Sequence, residues 1–191
     1  MTELEGQKTY IAGCEESYGY LIGDHVRDKD AVGACLMISE MAAYYHSRGQ
    51  SLYEVLLDIY RRYGLFLETL ISVTLKGKEG AEQIAELMKT FRSNPPTHLG
   101  GEAVVRVRDY LSSVEKDLLT GVESSIDLPK SNVLQLITES GGIISARPSG
   151  TEPKIKYYIS LNQAFGPDES FEEAQSVMKR RFDRIERELR S

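Results

Sequence analysis

The sequence predicts an α+β protein: a C-terminal antiparallel sheet with helices packed on one face, preceded by a strand-loop-helix remnant of an α/β domain. Three observations lead there. From Leu65 onward the apolar periods run strand, helix, a run of strands, helix, an order that builds one antiparallel layer covered by helices. Before Leu65, the segment Asp30 to Tyr45 is apolar or small on most of a helical circumference, through Val32, Leu36, Met37, Ile38, Met41 and Ala42, and such a helix expects a sheet over it. The polar opening from Met1 to Lys8 passes at once through Thr9, Tyr10 and Ile11 into a glycine-bearing loop, as a strand cut from a larger domain would. The 191 residues exceed the common single-domain size of about 100 to 150, which favours one domain plus an appendage or two small domains. We place them at 1–64 and 65–191.

Each later element has its own signal. Ser51 and Glu54 form a capping-box pair at the start of a helix along Leu52, Val55, Leu56 and Ile59, and Gly64 ends it. Leu67, Thr69, Ile71, Val73 and Leu75 alternate along one face of a strand, and Ala81, Ile84, Ala85, Met88 and Phe91 line the next helix. Ser93 to Gly101 is a loop of prolines and glycines, and Ala103 to Asp109 alternates Val105 and Val107 with Arg106 and Arg108 as a strand does. Lys116 to Lys130 has no clear pattern. Val133 to Thr138 and Ile143 to Arg147 form a hairpin turning at Ser140, Gly141 and Gly142, followed by a strand from Lys154 to Leu161. Ser170 and Glu173 make a second capping box before a helix along Phe171, Ala174, Met178, Phe182, Ile185 and Leu189.

Composition narrows the function classes. A hydrophobic content of 41% and a charged content of 27% are those of an ordinary soluble domain, and no apolar run approaches the roughly 18 residues of a membrane span. A net charge of -6 argues against a nucleic-acid partner, since phosphate backbones are met by basic faces. Cys14 and Cys35 are too few for a disulfide framework or a four-cysteine zinc site, and nothing near Met1 resembles a signal peptide, so a cytoplasmic location is expected. His25, His46 and His98 are scattered among polar neighbours and give no metal site. The basic run Lys179 to Arg181 reads as a solvated helix face.

The string RPSGTEPKIKYY, Arg147 to Tyr158, concentrates phosphate-binding chemistry in one turn between strands. Arginine offers a bidentate fork, Ser149 and Thr151 add hydroxyls, Gly150 lets the backbone approach a ligand, and Lys154 adds charge. On residue types alone a solvated hairpin loop capped by its own hydroxyls fits as well. A second string, GCEESYGY from Gly13 to Tyr20, sets Glu15 beside Ser17, a carboxylate and a hydroxyl suited to adjacent sugar hydroxyls. Glu15 and Glu16 read equally as helix-start charges beside turn glycines.

RPSGTEPKIKYY closely resembles the phosphate-binding loop of the α-D-phosphohexomutases, the phosphoglucomutase/phosphomannomutase family, with Arg147, Ser149, Gly150 and Thr151 at the matching positions. GCEESYGY is similar to that family's sugar-binding loop, with Glu15 and Ser17 as the pair that grips the hexose 3- and 4-hydroxyls; Cys14 stands where many relatives have glycine or an aromatic residue. RDKDA, Arg27 to Ala31, is similar to a stretch that follows the sugar loop in phosphoglucomutase-like members. Lys29 and Lys154 are additional candidates for the bound phosphosugar, though Lys29 reads equally as a surface charge.

The resemblance implies a C-terminal fragment: the tail of the third mutase domain, 1–64, and the fourth, phosphate-binding domain, 65–191. The whole enzyme would interconvert hexose 1-phosphate and hexose 6-phosphate through a phosphoserine and a hexose 1,6-bisphosphate intermediate, with Mg2+ on an aspartate-rich loop. Neither the serine loop nor the metal loop is present, so the resemblance gives this chain no catalytic residue and no metal ligand. Its implied partners are the phosphosugar and upstream mutase domains of the same chain. A non-catalytic phosphosugar-binding or partner-docking module, and a phosphopentomutase within the same family, stay open as alternatives.

Overall fold

The computed structural model describes residues 6–15, 18–75 and 77–190, and the chain divides into two compact units, Met1–Asp58 and Ile59–Ser191. Among the described residues there are ten strands and four helices.

The first unit opens with an antiparallel hairpin of β1, Ala12–Cys14, and β2, Tyr20–Ile22, paired so that Cys14 faces Tyr20. The strand expected at Thr9 to Ile11 therefore begins three residues later, at Ala12, and Gly13, Cys14 and Tyr20 lie in strands rather than in the loop. Helix α1, Ala31–His46, starts at Asp30, whose carboxylate accepts the Val32 amide at 3.0 Å and satisfies one of the free donors of the first turn. Its apolar residues do spread around the whole circumference, yet of its residues only Ala34 is buried, and Val32 and Leu36 are 81% and 63% exposed.

Helix α2, Leu52–Tyr63, begins with the expected capping box. Glu54 accepts the Ser51 amide at 2.7 Å while the Ser51 hydroxyl accepts the Glu54 amide at 3.2 Å. The helix crosses the boundary between the units, and from Ile59 its residues belong to the second. There Tyr60 stacks on Phe171, with ring centroids 5.8 Å apart. Gly64, at φ +95, turns the chain out of the helix into the sheet.

The second unit contains β3, Leu65–Thr74; α3, Gly77–Ser93; β4, His98–Leu99; β5, Glu102–Asp109; β6, Val114–Asp117; β7, Glu123–Ser125; β8, Leu134–Thr138; β9, Ile143–Pro148; β10, Lys154–Gln163; and α4, Phe171–Arg190. The eight-stranded sheet has the order β3-β10-β9-β8-β5-β6-β7 with β4 paired to β5, and each pairing is antiparallel. This is the predicted α+β class. Strands β6 and β7 fall largely in the stretch from Lys116 to Lys130 that had no readable pattern. All of β7 is exposed at the sheet edge, so no alternation of apolar residues marks it.

Alternation fixes which face of the sheet is covered. Ile155, Tyr157, Ile159 and Leu161 of β10 are buried with Ile144 and Ala146 of β9 and Leu134 and Leu136 of β8. Ile84 and Met88 of α3 and Ala174, Met178, Ile185 and Leu189 of α4 are buried as well, and both helices contact this sheet. The opposite face stays open, with Phe66 and Leu70 of β3 about half exposed at 51% and 52%.

Two local expectations change. Arg181 is not on a solvated helix face: its guanidinium reaches Glu102 Oε1 at 2.5 Å and the Asn162 carbonyl at 3.2 Å, tying α4 to β5 and β10. The capping box at Ser170 forms only in part. The Glu173 amide donates to the Ser170 hydroxyl at 3.3 Å, but that hydroxyl donates to Glu172 rather than Glu173. Among the described residues no helix is long and apolar enough to cross a membrane.

Candidate functional site

The RPSGTEPKIKYY segment turns between the neighbouring strands β9 and β10. Arg147 and Pro148 end β9, Lys154 begins β10, and the Ser149 amide donates to the Lys154 carbonyl at 2.8 Å to close the turn. Inside it, the amides of Thr151 and Glu152 both point at the Ser149 hydroxyl oxygen, at 3.4 and 3.3 Å. Successive amides aimed at one oxygen form a small concavity of donors, with a side-chain oxygen as the present acceptor. Gly150 keeps ordinary negative φ, and a Cβ there would meet no atom within 4 Å. Neither backbone strain nor internal packing therefore requires glycine at this position. The Leu75 amide donates to the Pro153 carbonyl at 2.9 Å and anchors the far side of the turn to the end of β3.

The structure thus brings Arg147, Ser149, Gly150, Thr151 and Lys154 together in one loop. The Arg147 side chain is exposed and forms no ion pair with any described residue.

The GCEESYGY segment forms the tip of the β1–β2 hairpin in the first unit. The Glu15 amide donates to the Gly19 carbonyl at 2.8 Å, and Tyr18 takes a positive φ of 64 to complete the reversal. Of the expected pair, Glu15 is described, while Ser17, like Glu16, lies outside the described residues. Lys29 places its ammonium 3.3 Å from Glu15 Oε1 and 2.7 Å from Asp28 Oδ1. The hydrogen bond that Lys29 donates to Asp28, and then the one it donates to Glu15, raise the Lys29 pKa, and the same lysine lowers that of Asp28. The sequence left Lys29 divided between a surface charge and a site residue; in the structure it pairs with Glu15 and Asp28.

Three further residues build this region without having been singled out. Gly19 lies under the lysine stem, where a Cβ would collide with Lys29 Cδ and sit 3.1 Å from Glu15 Oε2. Asp28 is the second acceptor for Lys29, and the RDKDA string could have exposed it. Asp30 accepts from the Gly33 and Val32 amides and pairs with His25 Nε2 at 3.0 Å; the Gly33 amide first, then His25, lower its pKa. No periodic signal links His25 to Asp30, since the contact closes an irregular turn. A cleft of about 250 Å³ adjoins these groups, bounded by Tyr10, Cys14, Glu15, Arg27, Asp28 and Lys29.

A larger cleft of about 440 Å³ lies at the opposite end of β3 and β10 from the phosphate-loop candidate, lined by Arg61, Arg62, Phe66, Asn162 and Phe165 among others. It includes none of the marked residues. Among the described residues, no group of three or more His, Cys, Asp or Glu side chains is arranged to hold a metal ion.

Residues 1–63 match the family described as phosphoglucomutase/phosphomannomutase, alpha/beta/alpha domain III. The chain is 43% identical over 159 residues to a phosphoglucomutase of Staphylococcus aureus (strain MRSA252), an alignment covering 83% of this chain and 29% of the relative. It is 38% identical over 160 residues to a phosphoglucomutase of Staphylococcus haemolyticus, covering 84% of this chain and 29% of the relative. The fold is similar to that of pp63/parafusin, a phosphoglucomutase from Paramecium in its open form, with a TM-score of 0.54 and 18% identity over 90% of this chain and 29% of that one. The chain spans 29% of the length of the curated relatives it matches. By sequence, it belongs to the phosphoglucomutase/phosphomannomutase family.

Proposed function

We propose that this chain is the substrate-binding portion of a phosphohexomutase that interconverts hexose 1-phosphate and hexose 6-phosphate through a phosphoserine and a hexose 1,6-bisphosphate. The observation that carries the reading is the convergence of the Thr151 and Glu152 amides on the Ser149 hydroxyl oxygen, beside an Arg147 without an ion-pair partner among the described residues. A phosphate oxygen arriving there would replace the hydroxyl as acceptor and gain a charge-assisted bond from each donor. Arg147, Ser149, Gly150 and Thr151 hold the phosphate that is not being transferred, with Lys154 at the edge of the loop. Glu15, Ser17 and Lys29 hold the sugar.

In this reading the chain contributes orientation rather than bond-making. A mutase handles its intermediate in two orientations, so the groups that grip either end must be indifferent to which carbon bears the phosphate. A backbone-and-arginine clamp meets that need because it recognises the phosphoryl group alone. The catalytic serine and Mg2+ belong to the rest of the enzyme, whose metal would assist phosphoryl transfer. Upstream mutase domains are the partners, and cytoplasmic residence accords with two free, exposed cysteines, Cys14 and Cys35.

The experiment is a graft. The chain replaces the corresponding segment of the Staphylococcus aureus phosphoglucomutase, and glucose 1-phosphate turnover is measured with and without Arg147→Ala. Turnover in the graft that Arg147→Ala abolishes is the expected result. A folded graft that binds glucose 1-phosphate without converting it contradicts the mutase reading and favours a non-catalytic phosphosugar-binding module. Preference for pentose phosphates would instead assign a phosphopentomutase.

A further inference from the structure

The cleft of about 440 Å³ at the end of β3 and β10 is built where two chain reversals meet. Gly64 turns the chain from α2 into β3, and a Cβ on it would stand 3.2 Å from the Gln163 carbonyl oxygen, so glycine lets this reversal close against the end of β10. The second reversal carries Asn162 to Phe165 out of β10 toward α4. Asn162 stands directly opposite Phe66. Opposed residues of an antiparallel pair share one side of the sheet, and the buried Leu161 marks the covered side, so Asn162 and Phe66 project from the open face. The cleft falls within the range of about 300 to 1,000 Å³ usual for small-molecule sites.

Three kinds of group line it. Tyr63 and Phe66 are 67% and 51% exposed, two aromatic rings that the fold leaves uncovered, while the buried Phe165 lies under the Arg61 guanidinium at 5.9 Å. The Arg62 guanidinium sits 6.0 Å from the Tyr63 ring centroid and forms no ion pair with any described residue. Asn162 and Gln163 are half-buried, and their side-chain amides hydrogen-bond to no described residue, although amides withdrawn from water ordinarily find partners. In a chain of net charge -6, adjacent arginines form a local site for an anion. The rings offer faces for a planar group, and each amide carries both a donor and an acceptor for its edge.

We infer that this cleft is a binding site for a nucleoside monophosphate, whose base stacks on the exposed rings with Asn162 and Gln163 at its edge and whose phosphate meets Arg61 and Arg62. A phosphosugar brings the charge without a plane to stack, and a nucleoside brings the plane without the charge, so each satisfies half of the site. The cleft shares no residue with the β9–β10 turn, and its occupancy is independent of what that turn binds.

The test titrates the isotope-labelled chain with AMP, adenosine and methyl phosphate, following the amides from Arg61 to Phe66 and from Asn162 to Phe165. AMP should shift both stretches and bind about tenfold tighter than either of the other two. Arg62→Gln should weaken AMP about fivefold and leave adenosine unchanged, whereas Phe66→Ala should weaken both about tenfold. Both side chains are exposed, so the variants should keep the parent's amide spectrum elsewhere. Lys179→Gln, an exposed α4 residue whose loss changes net charge equally, should have no effect. Methyl phosphate binding here as tightly as AMP would reduce the cleft to a plain anion site and overturn the nucleotide assignment. AMP shifts confined to the Arg147 to Lys154 turn, or AMP binding at the cleft that survives both substitutions, would overturn it as well, whatever the turn itself binds.

Discussion

Lys29 lies across Gly19 with its ammonium 3.3 Å from Glu15 Oε1, so the absence of a side chain at Gly19 is what lets the lysine reach the carboxylate. A Cβ there would sit 2.8 Å from Lys29 Cγ, and the flexible, half-exposed lysine would yield before the hairpin did. Gly19→Ala should leave the β1–β2 amide spectrum essentially intact and weaken glucose 1-phosphate binding about threefold to tenfold, as expected for one displaced exposed charge. Lys29→Met should match it. Unchanged affinity in both variants would remove Lys29 from the site.

Arg147 and Lys156 stand directly opposite each other in the β9–β10 register, a like-charge pair that costs the strand pairing stability. Lys156→Gln should stabilise the unliganded chain by about 0.2 to 1 kcal/mol, the scale of a directly opposed like-charge pair. Urea unfolding reads this directly. The variant should be more stable than the parent, and equal stability would mean that the opposed charges cost nothing.

Glu102 joins β5 to α4 and to the β8–β9 turn through Arg181 at 2.5 Å and the Ser140 hydroxyl at 2.6 Å. Burial alone would raise its pKa, but hydrogen bonds with Ser140 and Thr138 and the Arg181 charge outweigh burial and hold it below the ordinary 4.5. A lowered folded pKa means stability that is present above the unfolded value and lost as pH falls through the folded one. Glu102→Gln should cost about 1 to 3 kcal/mol at neutral pH. The difference from the parent should shrink as the pH falls below 4.5. A difference constant across that range would mean that the carboxylate charge contributes nothing.

Tyr157 is buried under the helices, and burial pushes its phenol from 10.0 up to about 12. The folded state therefore favours the neutral phenol, and its stability falls as pH rises from 10.0 toward 12. Tyr157→Phe should flatten that alkaline decline, as followed by circular dichroism. An equally steep decline in the variant would place the sensitivity elsewhere.

Much of this was legible in the sequence, for identifiable reasons. Helices α3 and α4 and strands β8, β9 and β10 bury one face, and a buried face writes a period of 3.6 or 2 into the chain. The edge strand β7 buries nothing, so Glu123 to Ser125 has no pattern to read. The phosphate-loop candidates were legible because they are contiguous. The room that Gly19 leaves for a lysine ten residues on, and the register that sets Lys156 across from Arg147, were not, since only the folded hairpins define them. Arg181 was misread because a charged run on a helix looks solvated until its partner, Glu102, is brought to it by the sheet.

The most direct test of the central claim is a titration of the isotope-labelled chain with glucose 1-phosphate and glucose 6-phosphate, read at every backbone amide and repeated with Arg147→Ala. The account predicts that both sugars shift the amides from Arg147 to Lys154 alike, because the clamp reads only the phosphoryl group, and that the variant abolishes these shifts. Shifts confined to other parts of the chain, or shifts in the loop that persist without Arg147, would contradict it.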